Sequence, residues 1–213
     1  MQPSVLSSAY MPPIQYLTKF ILSDVAIEQH ENYIKQSFRN RCTILAANGP
    51  MSLTIPVVKV HGEKIPIMEV LIDYDLPWQK QHFKSIESAY KNSPYYDYYI
   101  DDLRKFFEQR YEKLFELNQQ LLDKLLSIIG ISKSYTLTSS FERNLANHTD
   151  LRYGISPKAN HQAYDPHFSS ATYYQVFADR YGFTPNLSII DLLFNEGPLT
   201  LSILEKSIKK DGL

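Results

Sequence analysis

The sequence predicts a single α/β domain spanning residues 1–213, with a mixed sheet, made of an N-terminal βαβ unit and an antiparallel hairpin, covered by helices. Three observations predict it. At the N-terminus a short apolar run, a helically spaced segment and a second extended run follow one another within about two dozen residues, the length of a parallel crossover unit. The tripeptide Asn48-Gly49-Pro50 is a turn signal between two runs of strand character. The middle and end of the chain place apolar residues three and four apart, the spacing of helices that lay one face on a core.

The elements follow in order. Val5 to Ser8 is the first strand; Pro12-Pro13 opens a helix from Ile14 to Leu22, with Ile14, Leu17 and Ile21 on one side; Asp24 to Glu28 is the second strand. Ser37 to Ala46 and Met51 to Val58 are the hairpin strands, and Pro56, which lacks an N–H donor, puts the latter at a sheet edge or on a bulge. Ile67 to Ile72 reads as a further short strand. Pro77 starts a helix in which Trp78, His82, Ile86 and Tyr90 recur every fourth residue, and Asn92-Ser93-Pro94 stops it. A helix from about Asp97 leads into another from Lys113 to Ile129, whose Leu114, Leu117, Leu121, Leu125 and Ile128 form a stripe ended by Gly130. Tyr135 to Thr138 is a candidate strand. Asn147 to Ser170 has no clean period and reads as a long irregular loop, a lid or a family-specific excursion. Short helices over Ser188 to Phe194 and Pro198 to Lys210 finish the chain.

Composition excludes several classes. With 22 Lys+Arg against 23 Asp+Glu there is no basic field to neutralise a nucleic-acid backbone. The single cysteine, Cys42, has no internal disulfide partner, which fits a reducing cytoplasm. Residues 1–13 lack the pattern of a secretory signal, and no segment approaches the roughly 20 apolar residues that span a bilayer, so no membrane insertion is expected. Only 7 glycines argue against loops that cradle phosphate with backbone N–H groups, while the 16 tyrosines suit the rim of a core. His61, His148, His161 and His167 form no metal-ligand spacing, and no structural metal is expected; no cofactor is assigned.

One polar cluster stands out. If Lys35 to Leu45 is extended, Lys35, Ser37, Arg39, Arg41 and Thr43 share a face, with Asn40 on the apolar side. Guanidiniums about 7 Å apart repel by roughly 0.6 kcal/mol in water and roughly 2.4 at an effective dielectric of 20, so burial would demand a partner. Glu28 and Glu31 can be that partner, which makes the cluster scaffold; a visiting carboxylate or phosphate can be it instead. The stretch from Glu28 to Tyr33 lies beyond the carboxyl end of a strand, where open α/β sheets bind ligands, and His30 beside Glu28 is the acid–base candidate. For Trp78 and His82, core packing is the simpler reading. Ser139-Ser140 reads as turn or cap, and Asn195-Glu196-Gly197-Pro198 as helix punctuation.

Tyr10-Met11-Pro12-Pro13-Ile14-Gln15-Tyr16, Lys35 with Arg39-Asn40-Arg41, Leu53-Thr54-Ile55-Pro56-Val57, Trp78 with Ser88-Ala89-Tyr90, and the ending from Leu187 to Pro198, taken together and in order, resemble the WbqC-like protein family. The resemblance implies a bacterial cytoplasmic protein associated with O-antigen and other surface-polysaccharide gene sets, with group transfer as the activity class. It carries Lys35, Arg39, Asn40 and Arg41 over as a shared polar face, and Asp191, Asn195 and Glu196 as a shared C-terminal element. The chain departs from the family pattern at Ser8-Ala9, where many members have Gln-Pro, and over Tyr153 to Asp165, where many carry a glycine-rich segment; that second departure counts against phosphate or nucleotide binding.

Two functions follow as expectations. The first is a transferase-type or small-anion-binding protein acting on a sugar or activated sugar, with His30 and Glu28 catalytic and Lys35, Arg39, Asn40, Arg41, Asn195 and Glu196 holding the ligand. The second is a non-catalytic binding or assembly protein that uses the tyrosine-rich stretch Tyr90 to Tyr99 as a partner surface.

Overall fold

The computed structural model describes residues 2–58, 64–158 and 165–209. The first strand, β1 (Ser4–Ser7), lies parallel to β2 (Val25–Glu28), with α1 (Ile14–Leu22) crossing between them as expected. Their register runs from Ser4 opposite Val25 to Ser7 opposite Glu28, so both strands end at the same level. Two further strands join in parallel: β5 (Thr136–Leu137) beside β2, and β6 (Thr149–Asp150) beside β1, for the order β5-β2-β1-β6. All four carboxyl ends therefore face one side, and the segments leaving them gather along one rim. A two-residue strand such as β6 has no period to read, which is why its sequence looks irregular.

The hairpin is β3 (Arg41–Ala46) with β4 (Gly49–Thr54), antiparallel, and Gly49 takes the turn's positive φ of 101°. Two expectations are corrected here. The strand starts at Arg41, not Ser37; residues 35–40 turn, with Gln36 in the left-handed region at φ 57°, because Arg39 swings inward to a buried carboxylate. The parallel and antiparallel parts also form two sheets rather than sharing one, since the outer edge of β3 is used elsewhere: the Thr43 carbonyl accepts from Ser188 N–H at 2.8 Å, and Leu45 N–H donates to the Tyr90 hydroxyl at 3.2 Å. β4 ends before Pro56, in keeping with that residue's missing donor. Residues 67–72 are not a strand: Pro66 precedes a 3₁₀ turn, Ile67–Glu69, and only isolated bridges pair Val57 with Ile72 and Leu71 with Lys113.

Three helices cover the sheets: α2 (Trp78–Tyr90), α3 (Tyr96–Glu108) and α4 (Leu114–Ile129), the last ended by Gly130 at φ 82°. A short α5 (Ala178–Tyr181) precedes α6 (Ile189–Glu196), a 3₁₀ turn at Gly197–Leu199 and α7 (Thr200–Lys206). One hydrophobic cluster runs from Leu6 to Leu204, and α1 and α6, which feed it, are buried along nearly their whole length. Trp78 belongs to it and the buried His82 packs on Trp78: their rings meet edge-on at 5.2 Å, the Tyr10 hydroxyl lies 3.0 Å from His82 Nδ1, and burial pushes the imidazole down to about 4. Among the described residues no helix is long and apolar enough to cross a membrane.

Candidate functional site

The rim beyond the carboxyl ends of β1, β2, β5 and β6 is where the charged side chains converge. Arg39 is 4% exposed; its Nε donates to Glu31 Oε1 at 2.9 Å and its Nη2 to Glu31 Oε2 at 2.5 Å, a two-point grip on a buried carboxylate. Nη2 also reaches Ser7 Oγ at 2.6 Å and the Arg152 carbonyl at 3.3 Å. From below, Asn118 of α4 donates to the Arg39 carbonyl at 2.8 Å and to Ser8 Oγ at 2.9 Å, so the backbone of residue 39 is held as firmly as its side chain. Among the described residues Arg39 Nη1 makes no hydrogen bond.

A second arginine, which sequence reasoning missed, stands beside the first. Arg152 is 1% exposed; Nε and Nη2 donate to Asp150 at 2.9 and 2.7 Å, and Nη1 donates to Glu28 Oε2 at 3.1 Å. Its hydrogen bonds to Asp150, ahead of the cost of burial, raise its already high pKa further. The other Glu28 oxygen accepts the His30 backbone N–H and the Thr138 hydroxyl, each at 2.8 Å. With three donors on a fully buried carboxylate, Glu28 is built to position its neighbours. His30 Nε2 lies 3.2 Å from the Thr138 carbonyl oxygen, which only accepts, so that nitrogen carries the proton and Nδ1 is the basic one. Burial pushes Glu31 above the usual carboxylate range, with Arg39 pulling it back.

A cleft of about 120 Å³ opens next to these arginines, lined by Ile34, Lys35, Gln36, Ser37, Arg39, Arg152, Tyr153, Ile155, Ser156 and Lys158. Four of those residues are cationic and none is acidic. Both guanidiniums lie about 6 Å from the centre of the Tyr153 ring, at 5.9 and 6.0 Å. The long irregular segment therefore supplies one wall, with Arg152, Tyr153 and Lys158, and the turn before β3 supplies the other.

The remaining expected residues sit apart from it. Arg41 lies on the hairpin, partly exposed, with Nε 3.3 Å from Thr54 Oγ1, so it does not share a face with Arg39. Asn40 is buried and donates to the Ile55 carbonyl at 2.7 Å, closing the open end of the hairpin. Asn195 and Glu196 are on α6: Asn195 Nδ2 donates to the Asp191 carbonyl at 2.8 Å, and Glu196 accepts the Tyr174 N–H at 2.8 Å. His30 does not line the cleft either; Glu28 stands between them, one oxygen toward His30 and the other toward Arg152. His61 and His161 lie outside the described residues, among which no group of three or more His, Cys, Asp or Glu side chains is placed to hold a metal.

A buried carboxylate of a different kind occupies the core under α6. Asp191, 1% exposed, accepts from the hydroxyls of Tyr173 at 2.6 Å and Tyr90 at 2.7 Å and from Gln175 Nε2 at 3.3 Å, with no cation on it among the described residues. Burial pushes it up to about 6 despite the two hydroxyls. At the end of the same helix Gly197 has φ 52°, and a Cβ there would come within 2.5 Å of the Tyr95 ring. Within the ending from Leu187 to Pro198, Asp191, Glu196 and Gly197 thus have structural roles, while the buried Asn195 Oδ1 has no hydrogen-bond partner among the described residues.

Comparison with known proteins gives a consistent setting. A family model described as the WbqC-like protein family matches residues 7–177. An uncharacterized protein of Mycobacterium tuberculosis is 28% identical over 209 residues, covering 88% of each chain. No solved structure matches.

Proposed function

From the premise that the chain belongs to the WbqC-like protein family, we propose that it binds a small anionic molecule in the cleft between the turn at residues 34–37 and the segment 152–158. The observation that carries this reading is the lining: Lys35, Arg39, Arg152 and Lys158 with no carboxylate among them, and a buried guanidinium with one nitrogen unused. Guanidiniums already paired to the protein's own carboxylates are rigid, and rigid donors beside a cleft lose little entropy on binding. Group transfer on a sugar or activated sugar, in a cytoplasmic step of surface-polysaccharide synthesis, is the activity that the family resemblance attaches to such a site. In that scheme His30 moves the proton, through its free Nδ1, and Glu28 orients it. Catalysis has less support than binding, because Glu28 separates His30 from the cleft.

The test is thermal stabilisation by a panel of sugar phosphates, sugar nucleotides and amino acids. A member that binds raises Tm in the wild-type chain and fails to do so in a Lys35→Ala/Lys158→Ala double variant, whose exposed positions leave folding intact. Arg39→Ala is the wrong probe, since it strips Glu31 of its partner. Stabilisation that survives in the double variant, or a panel without effect, would sink the reading. His30→Asn then separates the two halves: retained binding with lost turnover supports a proton-transfer role.

The assembly reading has one observation of its own. Tyr90 and Tyr96 are buried, but Tyr98 is 77% exposed beside Tyr95, with ring centres 6.1 Å apart. A self-associating protein that Tyr98→Ser turns monomeric by sedimentation would favour it.

A further inference from the structure

Resting on the anion-binding reading, the arrangement of donors in the cleft narrows the anion. We propose that the bound group is a phosphate monoester in its dianionic form, held by side chains from two separate loops, with the esterified moiety lying against Tyr153.

Donor geometry comes first. Arginine recognises a planar carboxylate with two parallel N–H bonds from one edge of its fork. No such edge is open here: Arg39 commits Nε and Nη2 to Glu31 and the second Nη2 hydrogen to Ser7, and the Arg152 side chain, bonded to Asp150 and Glu28, has no exposed surface. What remains among the described residues is a set of donors on separate side chains, among them Arg39 Nη1, the ammonium groups of Lys35 and Lys158, the Gln36 amide and the Ser156 hydroxyl. Three terminal oxygens of a phosphoryl group, each accepting on its own, fit that set better than one flat carboxylate. Scarce glycine excludes a backbone cradle but leaves this side-chain grip untouched.

Charge and size agree. The array sets two buried guanidiniums against three carboxylates, the buried Glu28 and Glu31 and the exposed Asp150, and so carries one net negative charge. Lys35 and Lys158 are in no ion pair among the described residues; they turn that one net negative charge into one net positive charge, and they are the two cations of the lining left to meet a dianion. A cleft of about 120 Å³ has room for a phosphoryl group. Tyr153, 47% exposed, offers its ring to the esterified moiety at the mouth.

Calorimetric titration of the full chain with phenyl phosphate, inorganic phosphate and benzoate tests this, using the wild type and the Lys35→Ala, Lys158→Ala and Tyr153→Ala variants, each checked for an unchanged unfolding midpoint. Phenyl phosphate is expected to bind at least about tenfold more tightly than benzoate, and each lysine replacement to weaken it about tenfold. Its affinity should rise as pH passes about 6, where the second proton leaves. Tyr153→Ala should weaken phenyl phosphate and leave inorganic phosphate unchanged. Benzoate binding as tightly, with the same dependence on the lysines, overturns the phosphate assignment while the anion cleft stands. Phenyl phosphate binding indifferent to both lysines overturns the cleft as well. Failure of phenyl phosphate to bind overturns the phosphate assignment alone, provided that another anion stabilises the wild type and not the double lysine variant.

Discussion

Two regions of this molecule bury carboxylates, and they do so in opposite ways. At the strand ends Glu28 and Glu31 are met by guanidiniums, whereas Asp191 under α6 is met by two phenols and an amide, all neutral. A guanidinium offsets the desolvation of a carboxylate with a full opposite charge; neutral donors offset it only in part, and the proton supplies the rest. The first region is therefore an array of charge pairs, in which Arg39 opposes the burial that still holds Glu31 above the usual carboxylate range. The second is a clamp that ties β3, α2, α6 and the segment at residues 173–175 together, and its strength depends on pH.

The largest expected effect is on the array. Arg39→Ala should cost about 3–5 kcal/mol in urea unfolding at neutral pH, because it leaves Glu31 buried without a cation. The double replacement Arg39→Met/Glu31→Leu should recover most of that loss. A single-variant cost under about 1 kcal/mol would show that Glu31 simply takes up a proton, and the contrast with Asp191 would vanish.

Next comes the clamp. A carboxyl whose folded pKa stands at about 6 stabilises the fold fully below the unfolded value and loses that contribution as pH rises through 6. The amount is on the order of 3 kcal/mol. His82, pushed down to about 4, acts the other way: its contribution is present above the unfolded value near 6.5 and is lost as pH falls toward 4. Between about pH 4 and 6 the two nearly cancel. Asp191→Asn should uncover the histidine, so that stability from urea unfolding falls by roughly 1.4 kcal/mol per pH unit of acidification. A variant profile as flat as the wild type's would mean that Asp191 is not protonated in the fold.

Smaller effects follow. Gly197→Ala combines a positive φ with a ring 2.5 Å from the new Cβ and should cost about 2–3 kcal/mol, while Gly130→Ala, with open space around it, should cost only about 1. Equal costs would show that backbone conformation, and not the Tyr95 ring, decides the end of α6. Lys35→Ala and Lys158→Ala should each change stability by less than about 0.5 kcal/mol, because both are exposed and, among the described residues, in no ion pair; a larger loss would make them part of the array instead of the edge of the cleft.

How much of this was legible depends on how local the cause is. The βαβ unit, the hairpin turn and the helices α1, α2 and α4 follow from apolar spacing and from Pro13, Gly49, Pro77 and Gly130 at their ends. The turn at residues 35–40 was misread as strand because Arg39 obeys Glu31 and not the alternation around it. Within the site, Glu28, His30, Lys35 and Arg39 were singled out, and Glu31 was noted as a possible partner. Arg152, Asp150, Tyr153 and Lys158 were not, and the only local hint was an Asp and an Arg two apart in an aperiodic stretch.

By itself the sequence determined the α/β class, the order of most elements and the absence of any charge surplus, since these rest on composition and on periods a few residues long. Tertiary structure decided which charges meet. Glu28 and Arg152 are 124 residues apart and Tyr90 and Asp191 are 101 apart. An ion pair or hydrogen bond across such a distance leaves no pattern along the chain, because it exists only once tertiary packing has formed: parallel strands bring Glu28 and Arg152 to one rim, and α2 and α6 bring Tyr90 to Asp191.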